Sequence, residues 1–116
     1  MRLAPITSTG SRTCTNLPAH DAWGIRYYAP SGEFVAYRYG NTCYRIAPTG
    51  SITGANWLAT AVSMGGDTAP DATNMRGGIF GKWVYDAYLS LFLWCGGAAG
   101  SPANTVTNMF AYRPDF

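Results

Sequence analysis

The chain has 116 residues, which is the usual size of a single domain and enough to bury one hydrophobic core. Hydrophobic residues make up 47% and aromatic residues 15%, whereas charged residues make up 12%, about half the usual share for a soluble domain. The surface must therefore contain many aromatic, Gly, Thr, Ser and Asn side chains, which are typical of contact surfaces. The net charge is +2 and the arginines are spread from Arg2 to Arg113, so the basic patch of a nucleic-acid-binding protein is excluded.

Neither a targeting segment nor a membrane span is expected. The first ten residues carry one charge and no apolar stretch, so they do not resemble a secretory signal peptide. The longest apolar run, from Tyr88 to Cys95, is far shorter than the roughly 20 residues that a spanning helix needs.

The three cysteines, Cys14, Cys43 and Cys95, are widely separated in the sequence. One disulfide among them is compatible with the sequence, but buried free thiols are favoured. A zinc site that adds His20 would need pairs of closely spaced ligands, and the sequence has none. We therefore expect neither a metal nor another cofactor.

Residues 1–22 are rich in Thr, Ser and Pro and show no periodicity. They are predicted to form an extended N-terminal arm, which would become ordered against a neighbouring subunit. Residues 23–116 contain no linker, repeat or charge run, and we predict that they form one ligand-binding domain.

Three short runs rich in aromatic and β-branched residues follow the arm, at 24–29, 33–39 and 42–47. Turn residues separate them: Pro30, Ser31 and Gly32 first, then a two-residue turn at 40–41. The pattern predicts a three-stranded β-meander over 24–47. Alternation in the second run places Val35, Tyr37 and Tyr39 on one face and Phe34, Ala36 and Arg38 on the other.

The segment 56–64 fits two structures. As a helix it would place Trp57, Ala61 and Met64 on one face, and as a strand it would be buried. The helix is slightly favoured. A polar loop with Gly, Pro, Asp and Asn follows at 65–74.

The last part of the chain carries the most specific pattern. It opens with Arg76-Gly-Gly-Ile-Phe80, continues through an aromatic-rich stretch at 82–94 and a small-residue loop at 96–103, and closes with Asn108-Met-Phe-Ala-Tyr-Arg113. This order resembles the variable segment of the C-type-lectin-fold proteins that retroelements diversify, such as the phage tropism determinants at tail-fibre tips. It is also similar to the related formylglycine-generating-enzyme-like fold. Phe80 stands where Trp is usual, and Asp86-Ala87 stands where the family has a small pair.

The resemblance implies a mostly β fold with one or two short helices (α+β), C-type-lectin-like and preceded by the β-meander. It also implies a receptor-binding display domain of a virion or cell surface, with a host surface protein or glycan as partner. Large aromatic side chains suit such a surface because they offer much contact area at a small entropic cost. The implied ligand-binding residues are Lys82, Trp83, Tyr85, Tyr88, Trp94, Thr105, Thr107 and Met109.

Part of the aromatic-rich stretch at 82–94 fits a role in core packing as well as a role in binding. Neighbouring charges favour the surface for Trp83 and Tyr85, whereas Tyr88 and Trp94 fit either the core or the surface. Arg113 is placed to reach backbone carbonyls or a carboxylate and so to fix the last strand. The residues expected in the core are Leu89, Leu91, Leu93, Phe80 and Phe110.

The sequence offers little for catalysis. His20 is the only histidine, and no third group is placed to orient it as a base. Cys95 has no second cysteine in its segment, unlike the copper-dependent oxidising relatives of the fold. We therefore expect a non-catalytic protein.

Two functions remain open for a non-catalytic domain of this kind. The first is the receptor-binding display domain, and the alternative is a small structural protein of a virion, either a head decoration or a tail component. In both cases low charge and exposed aromatic residues favour a homo-oligomer, such as a trimer, or docking on a larger virion assembly.

Overall fold

The computed structural model describes residues 14–19, 23–38, 40–50, 56–66, 82–97 and 106–116. Within these ranges the chain forms β-strands and no α-helix, so the expectation of a mostly β protein is confirmed. The strands are β1 (Cys14–Thr15), β2 (Gly24–Tyr28), β3 (Glu33–Tyr37), β4 (Thr42–Pro48), β5 (Trp57–Ser63), β6 (Val84–Asp86), β7 (Leu91–Gly97) and β8 (Val106–Tyr112).

The first five strands form one sheet, the large sheet, in the order β1-β5-β4-β3-β2. Strands β2 to β5 run antiparallel to their neighbours, and β1 adds to the edge of β5 in parallel. The predicted meander over 24–47 is therefore confirmed. Its first turn depends on Gly32, which has a φ of 70° and donates its N–H to the Tyr28 carbonyl at 3.0 Å.

The second turn lies where the sequence predicts it but is longer than two residues. Strand β3 ends at Tyr37 and β4 begins at Thr42, so residues 38–41 form the connection. The Tyr37 hydroxyl donates to the Gly40 carbonyl at 3.1 Å, and Gly40 has a φ of 69°. This side-chain bond and the left-handed glycine stabilise the wider turn.

The favoured helix at 56–64 is wrong, because this segment is strand β5. It pairs with β4 along its whole length, from Thr42 opposite Ser63 to Pro48 opposite Trp57. A helix here would leave the outer edge of β4 without backbone partners. Thr60 and Val62 also fit a strand well because they are β-branched.

The last three strands form a second, small antiparallel sheet in the order β6-β7-β8. A register irregularity lies at Gly96 and Gly97 of β7. The small sheet packs against one face of the large sheet, and the main hydrophobic core lies between the two. The core consists of Tyr28, Val35, Tyr37, Cys43, Trp83, Phe92, Trp94 and Tyr112.

The other face of the large sheet carries a second, smaller cluster. Ala36, Ile46 and Ala59 are buried there beneath half-buried side chains from the N-terminal segment and the sheet itself. The alternation predicted for β3 therefore holds where it is described: Val35 and Tyr37 face the small sheet, and Ala36 faces the opposite side. The residues that cover the smaller cluster are Cys14, Leu17, Trp23, Tyr44 and Trp57.

Candidate binding surfaces

Two of the predicted ligand-binding residues belong to the core. Trp83 has no exposed surface and Trp94 is 3% exposed. The Trp83 ring lies almost parallel to that of Phe92 at 4.5 Å, and its indole N–H donates to the Val35 carbonyl at 3.2 Å. The surface position predicted for Trp83 is therefore wrong, because the indole joins the two sheets.

Tyr85 is half-buried and lies on the same side of β6 as Trp83. Its ring is 5.3 Å from that of Tyr28 and 5.0 Å from that of Phe92. Tyr85 therefore packs on the edge of the core instead of standing on the predicted surface.

Leu89, Leu91 and Leu93 do not take the core positions predicted for them. Leu89 is exposed and Leu91 and Leu93 are half-buried, while Phe92 and Trp94 take the core positions. Successive side chains of a strand face opposite sides, so the aromatic residues of β7 exclude the leucines from the core. Phe110 stacks on Trp94 at 5.4 Å and packs against the core as expected, whereas Phe80 lies outside the described residues.

Of the remaining five predicted site residues, three are exposed and two are not fully described. Tyr88 is 94% exposed and Met109 is 70% exposed, and Lys82 is also exposed. Thr105 lies outside the described residues, and of Thr107 only the backbone in β8 is described.

The outer side of the small sheet carries five apolar side chains, which we call the apolar face, and Asp86 lies on the same side beside Leu91. Val84 and Ala111 lie on either side of Leu93, and Met109 is next along β8 on the same side. None of the five side chains carries a charge, and Tyr88 and Leu89 lie at the hairpin end beside them. The apolar face consists of Val84, Leu91, Leu93, Met109 and Ala111.

The hairpin between β6 and β7 is held by polar groups that lie below its tip. One carboxylate oxygen of Asp86 accepts hydrogen bonds from the backbone N–H groups of Tyr88 and Leu89, at 2.9 and 3.0 Å. Ser90 takes a left-handed φ of 52° before β7 begins. Arg113 donates to the Leu89 carbonyl at 3.2 Å, so the expected contact of Arg113 with a backbone carbonyl is confirmed.

A second exposed surface, which the sequence pattern does not predict as a binding surface, lies on the outer side of the large sheet. The Tyr27 and Phe34 rings are 5.4 Å apart, and the Phe34 and Trp57 rings are 5.8 Å apart. Ile25, Tyr27 and Phe34 are all exposed. Alternation in β2 and β3 indicates that these residues share a face, but it does not indicate which face solvent reaches.

A cleft lies on the same outer side, at the end where β3 turns into β4. It has a volume of about 220 Å³. The Trp23 ring meets that of Tyr44 edge to face at 5.5 Å in its wall. The Asn41 carbonyl accepts the N–H of Met64 at 2.8 Å, which fixes the turn that forms the rim. The lining residues are Pro18, Trp23, Arg38, Gly40, Asn41, Thr42 and Tyr44.

Burial favours the neutral forms of three core side chains, Cys43, Tyr37 and Tyr112. Burial raises the pKa of the Cys43 thiol to about 11, against the opposing influence of the neighbouring Tyr112 hydroxyl. Burial also raises the pKa values of Tyr37 and Tyr112. A thiol with a raised pKa is a poor nucleophile at neutral pH. Cys43 and Cys14 are both free, which agrees with the favoured state of those two thiols.

One ion pair lies at the rim of the core. Arg45 donates two hydrogen bonds to the Glu33 carboxylate, at 2.7 and 2.9 Å. The same guanidinium lies 4.4 Å from the centre of the Phe116 ring, which in turn contacts Tyr28. This contact ties the C-terminal residue to the rim between the sheets.

Within the described part of the chain, no group of three or more His, Cys, Asp or Glu residues is placed to hold a metal ion. The same residues contain no helix with the length and apolar character needed to cross a membrane. No protein-family model matches the chain, and neither a curated protein nor a solved structure matches it significantly.

Proposed function

We propose that this protein is a non-catalytic binding domain that uses the apolar face and the adjoining hairpin tip to contact a receptor. The observation that carries the proposal is the exposure of Val84, Tyr88 and Met109 around a small sheet whose inner side is packed into the core. Contiguous exposed apolar surface on a soluble domain marks a site of interaction.

The support lies in how rigidly these side chains are presented. The inner side of β7 is fixed by Phe92 and Trp94, so its outer side has little freedom to move. The Tyr88 side chain projects from a hairpin held by Asp86. Aromatic side chains on a rigid base are typical centres of binding energy in protein interfaces.

The family proposal concerns residues 76–113. In it, the domain is C-type-lectin-like and acts at a phage tail-fibre tip or as a surface adhesin, on a host surface protein or glycan. Its support is the order of motifs in the sequence, from Arg76-Gly-Gly through the aromatic stretch to the closing strand. Of the residues implied by the resemblance, Tyr88 is 94% exposed and Met109 is 70% exposed.

Binding of the labelled domain to intact bacterial cells from a panel of strains tests the receptor proposal. Val84→Asp should abolish binding to the strain that the wild-type domain binds, because it buries a charge in the contact. Ile25→Asp is the matched control, since Ile25 lies on the other edge strand, β2, with similar exposure (41% against 46%). Equal binding by both variants would contradict the proposal, as would a wild-type domain that binds no strain.

The coding DNA offers a separate test of the family proposal. A diversified member should have a nearby, nearly identical copy of the 76–113 coding segment that differs only at adenines. A copy with substitutions spread over all four bases, or no copy at all, would argue against diversification by a retroelement.

A structural role in a virion is the second candidate function, and one observation favours it. Ile25, Tyr27 and Phe34 expose apolar surface on the outer side of the large sheet, opposite the apolar face. A domain with apolar surface on both outer sides is suited to packing between subunits. In that case Ile25→Asp and Val84→Asp should both prevent incorporation into particles, whereas a receptor-binding domain would tolerate Ile25→Asp.

A further inference from the structure

The small sheet covers only part of the inner side of the large sheet, because it has three strands and the large sheet has five. Strand β6 lies beside β2. Trp94 of β7 contacts Tyr37 of β3, with ring centres 4.8 Å apart, and Tyr112 of β8 neighbours the Cys43 thiol of β4. The three strands of the small sheet therefore lie over β2, β3 and β4, and β5 and β1 extend beyond its edge.

The two strands beyond that edge, which we call the overhang, expose side chains on their inner side. Val62 of β5 packs against the main core, so alternation places Leu58 and Thr60 on the same side. Thr15 of β1 pairs with Leu58 and lies beside it. Thr15, Leu58 and Thr60 are all exposed, Leu58 to 38%. The overhang therefore presents an uncharged strip with an apolar side chain at its centre.

The edge of β8 that borders the overhang is suited to accept another strand. Among the described residues, no strand pairs with this side of β8. The strand contains no charged residue and no proline, which are two features that commonly protect an edge. Its register irregularity lies near its start, and the pairing with β7 is regular from Asn108 to Tyr112. Every second residue there turns its N–H and C=O away from β7, toward the space over β5.

A second copy of the chain fits this space because the two overhangs can cover each other. A twofold axis parallel to the strands exchanges the two layers of the molecule and reverses the order of the strands. The small sheet of one copy and the large sheet of the other then lie side by side in one layer. Three strands and five strands make eight in each layer, so neither layer has a gap or an uncovered strand.

The strand directions also suit this arrangement. Phe92 lies near Tyr28, which pairs with Glu33 at the start of β3, and Trp94 lies near Tyr37 at its end, so β7 runs in the direction of β3. Strands β5 and β1 share that direction, and β8 runs opposite to it. The twofold axis keeps these directions. β8 of one copy therefore meets β1 of the other as an antiparallel neighbour, the slightly more stable kind of pairing.

We propose that two copies of the chain associate through their overhangs, with Leu58 of each copy facing Thr15 of the other. The contact removes both leucine side chains from water. Each overhang measures at most roughly 10 Å by 24 Å, from the spacing of two strands and the rise of about seven residues. Interfaces this far below about 1,200 Å² are weak, so we expect a Kd on the order of 100 µM.

The overhang is separate from the apolar face, because one lies on the inner side of the large sheet and the other on the outer side of the small sheet. The inference therefore goes beyond the receptor proposal, and one can fail without the other. Leu58→Asp should keep the binding to cells that Val84→Asp loses.

The test is sedimentation velocity of the full chain carrying Val84→Asp, which removes association through the apolar face and leaves the overhang unchanged. From about tenfold below to tenfold above the expected Kd, the mass should rise toward two chains and then level off. Adding Leu58→Asp should weaken this association at least tenfold, because a carboxylate would be buried in each half of the contact. Ile25→Asp is the matched control, since Ile25 has similar exposure (41%) but lies on the outer side of the large sheet.

A mixture of two variants tests which residues face each other. Leu58→Asp chains and Thr15→Lys chains should each associate weakly alone, since like charges meet or a charge is buried without a partner. Mixed in equal amounts they should associate at least tenfold more tightly, because one carboxylate then faces one ammonium group. This recovery cannot come from a variant that has failed to fold. The inference is overturned if the Val84→Asp protein stays monomeric, if its mass grows past two chains, if Leu58→Asp and Ile25→Asp act alike, or if mixing restores nothing.

Discussion

Trp83 connects the two sheets through both its ring and its N–H group. The ring stacks on Phe92 from the small sheet and on Tyr37 from the large one, at 4.5 and 4.9 Å, while the N–H reaches the Val35 carbonyl. Trp83→Ala should therefore lower the free energy of unfolding by about 3–5 kcal/mol. Urea denaturation followed by circular dichroism measures this loss.

Trp83→Phe and Tyr88→Ala are the controls for this prediction. Trp83→Phe keeps an aromatic ring and should cost less than Trp83→Ala. Tyr88→Ala removes a side chain that is 94% exposed and should change the free energy of unfolding by less than about 0.5 kcal/mol. A Trp83→Ala protein as stable as Tyr88→Ala would show that the indole does not hold the sheets together.

Because the Cys43 thiol is buried, we expect the free energy of unfolding to fall at alkaline pH. Its pKa rises from 9.0 to about 11 in the folded protein, so between these values the unfolded chain releases a proton that the folded chain keeps. The contribution is complete below pH 9 and falls as pH rises toward 11, by up to about 3 kcal/mol. Urea denaturation at pH steps between 8 and 11 measures it.

Cys43→Ala is the control for the alkaline effect. It should be less stable than the wild type at pH 8, and between pH 9 and 10 it should lose less stability than the wild type, because the Cys14 thiol, whose pKa burial also raises, remains in both proteins. Above pH 10 both proteins should lose stability, because the pKa values of Tyr37 and Tyr112 are also raised by burial. Parallel curves for wild type and Cys43→Ala between pH 9 and 10 would rule out the thiol as the source.

At the scale of the secondary-structure elements, the β6–β7 hairpin depends on one carboxylate. Asp86 accepts two backbone N–H groups at the tip, and Asp86→Ala would leave both without this acceptor. We expect a loss of about 1 kcal/mol, as for the removal of a helix N-cap. Asp86→Asn keeps the accepting oxygen and should lose less than half as much, as thermal unfolding would measure; equal losses would mean that the charge matters more than the geometry.

The elements differ in how well the sequence predicts them, and the difference has a physical origin. Strands β2 to β4 are predicted because Gly32 and Gly40 mark turns that local backbone geometry determines. Strand β5 is not, because 56–64 has no turn signal of its own and becomes a strand by pairing with β4. Whether residues 56–64 form a helix or a strand therefore depends on pairing with β4, which lies outside the segment.

The burial of Phe92 and Trp94 instead of Leu91 and Leu93 is not predicted for a related reason. In β7 both faces are apolar, with Phe92 and Trp94 on one and Leu91 and Leu93 on the other, so alternation cannot decide which side is buried. The outcome depends on the large sheet, whose Tyr37 and Val35 leave space for flat rings. Tyr88, for which the sequence fits either the core or the surface, and Met109 are both exposed.

At the scale of the whole molecule, apolar surface is present on both outer sides of the sheet pair, and the chain has few charges to offset it. We expect the protein to associate with itself at high micromolar concentration, because burial between copies removes this surface from water. Light scattering coupled to gel filtration should give a mass above that of one chain. Val84→Asp should lower the mass toward a monomer, and a monomeric wild type would contradict the prediction.

The hairpin tip also bears on how such a domain could change over evolutionary time. Tyr88 contributes its N–H to the turn, and every residue except proline has the same group. Its backbone is not among the left-handed positions that restrict residue choice, and its side chain packs against almost nothing. The groups that specify the turn belong to Asp86 and Arg113, so position 88 can vary almost freely while its neighbours stay constant. The fold thereby separates the residues that fix the hairpin from a position whose side chain can change without altering it.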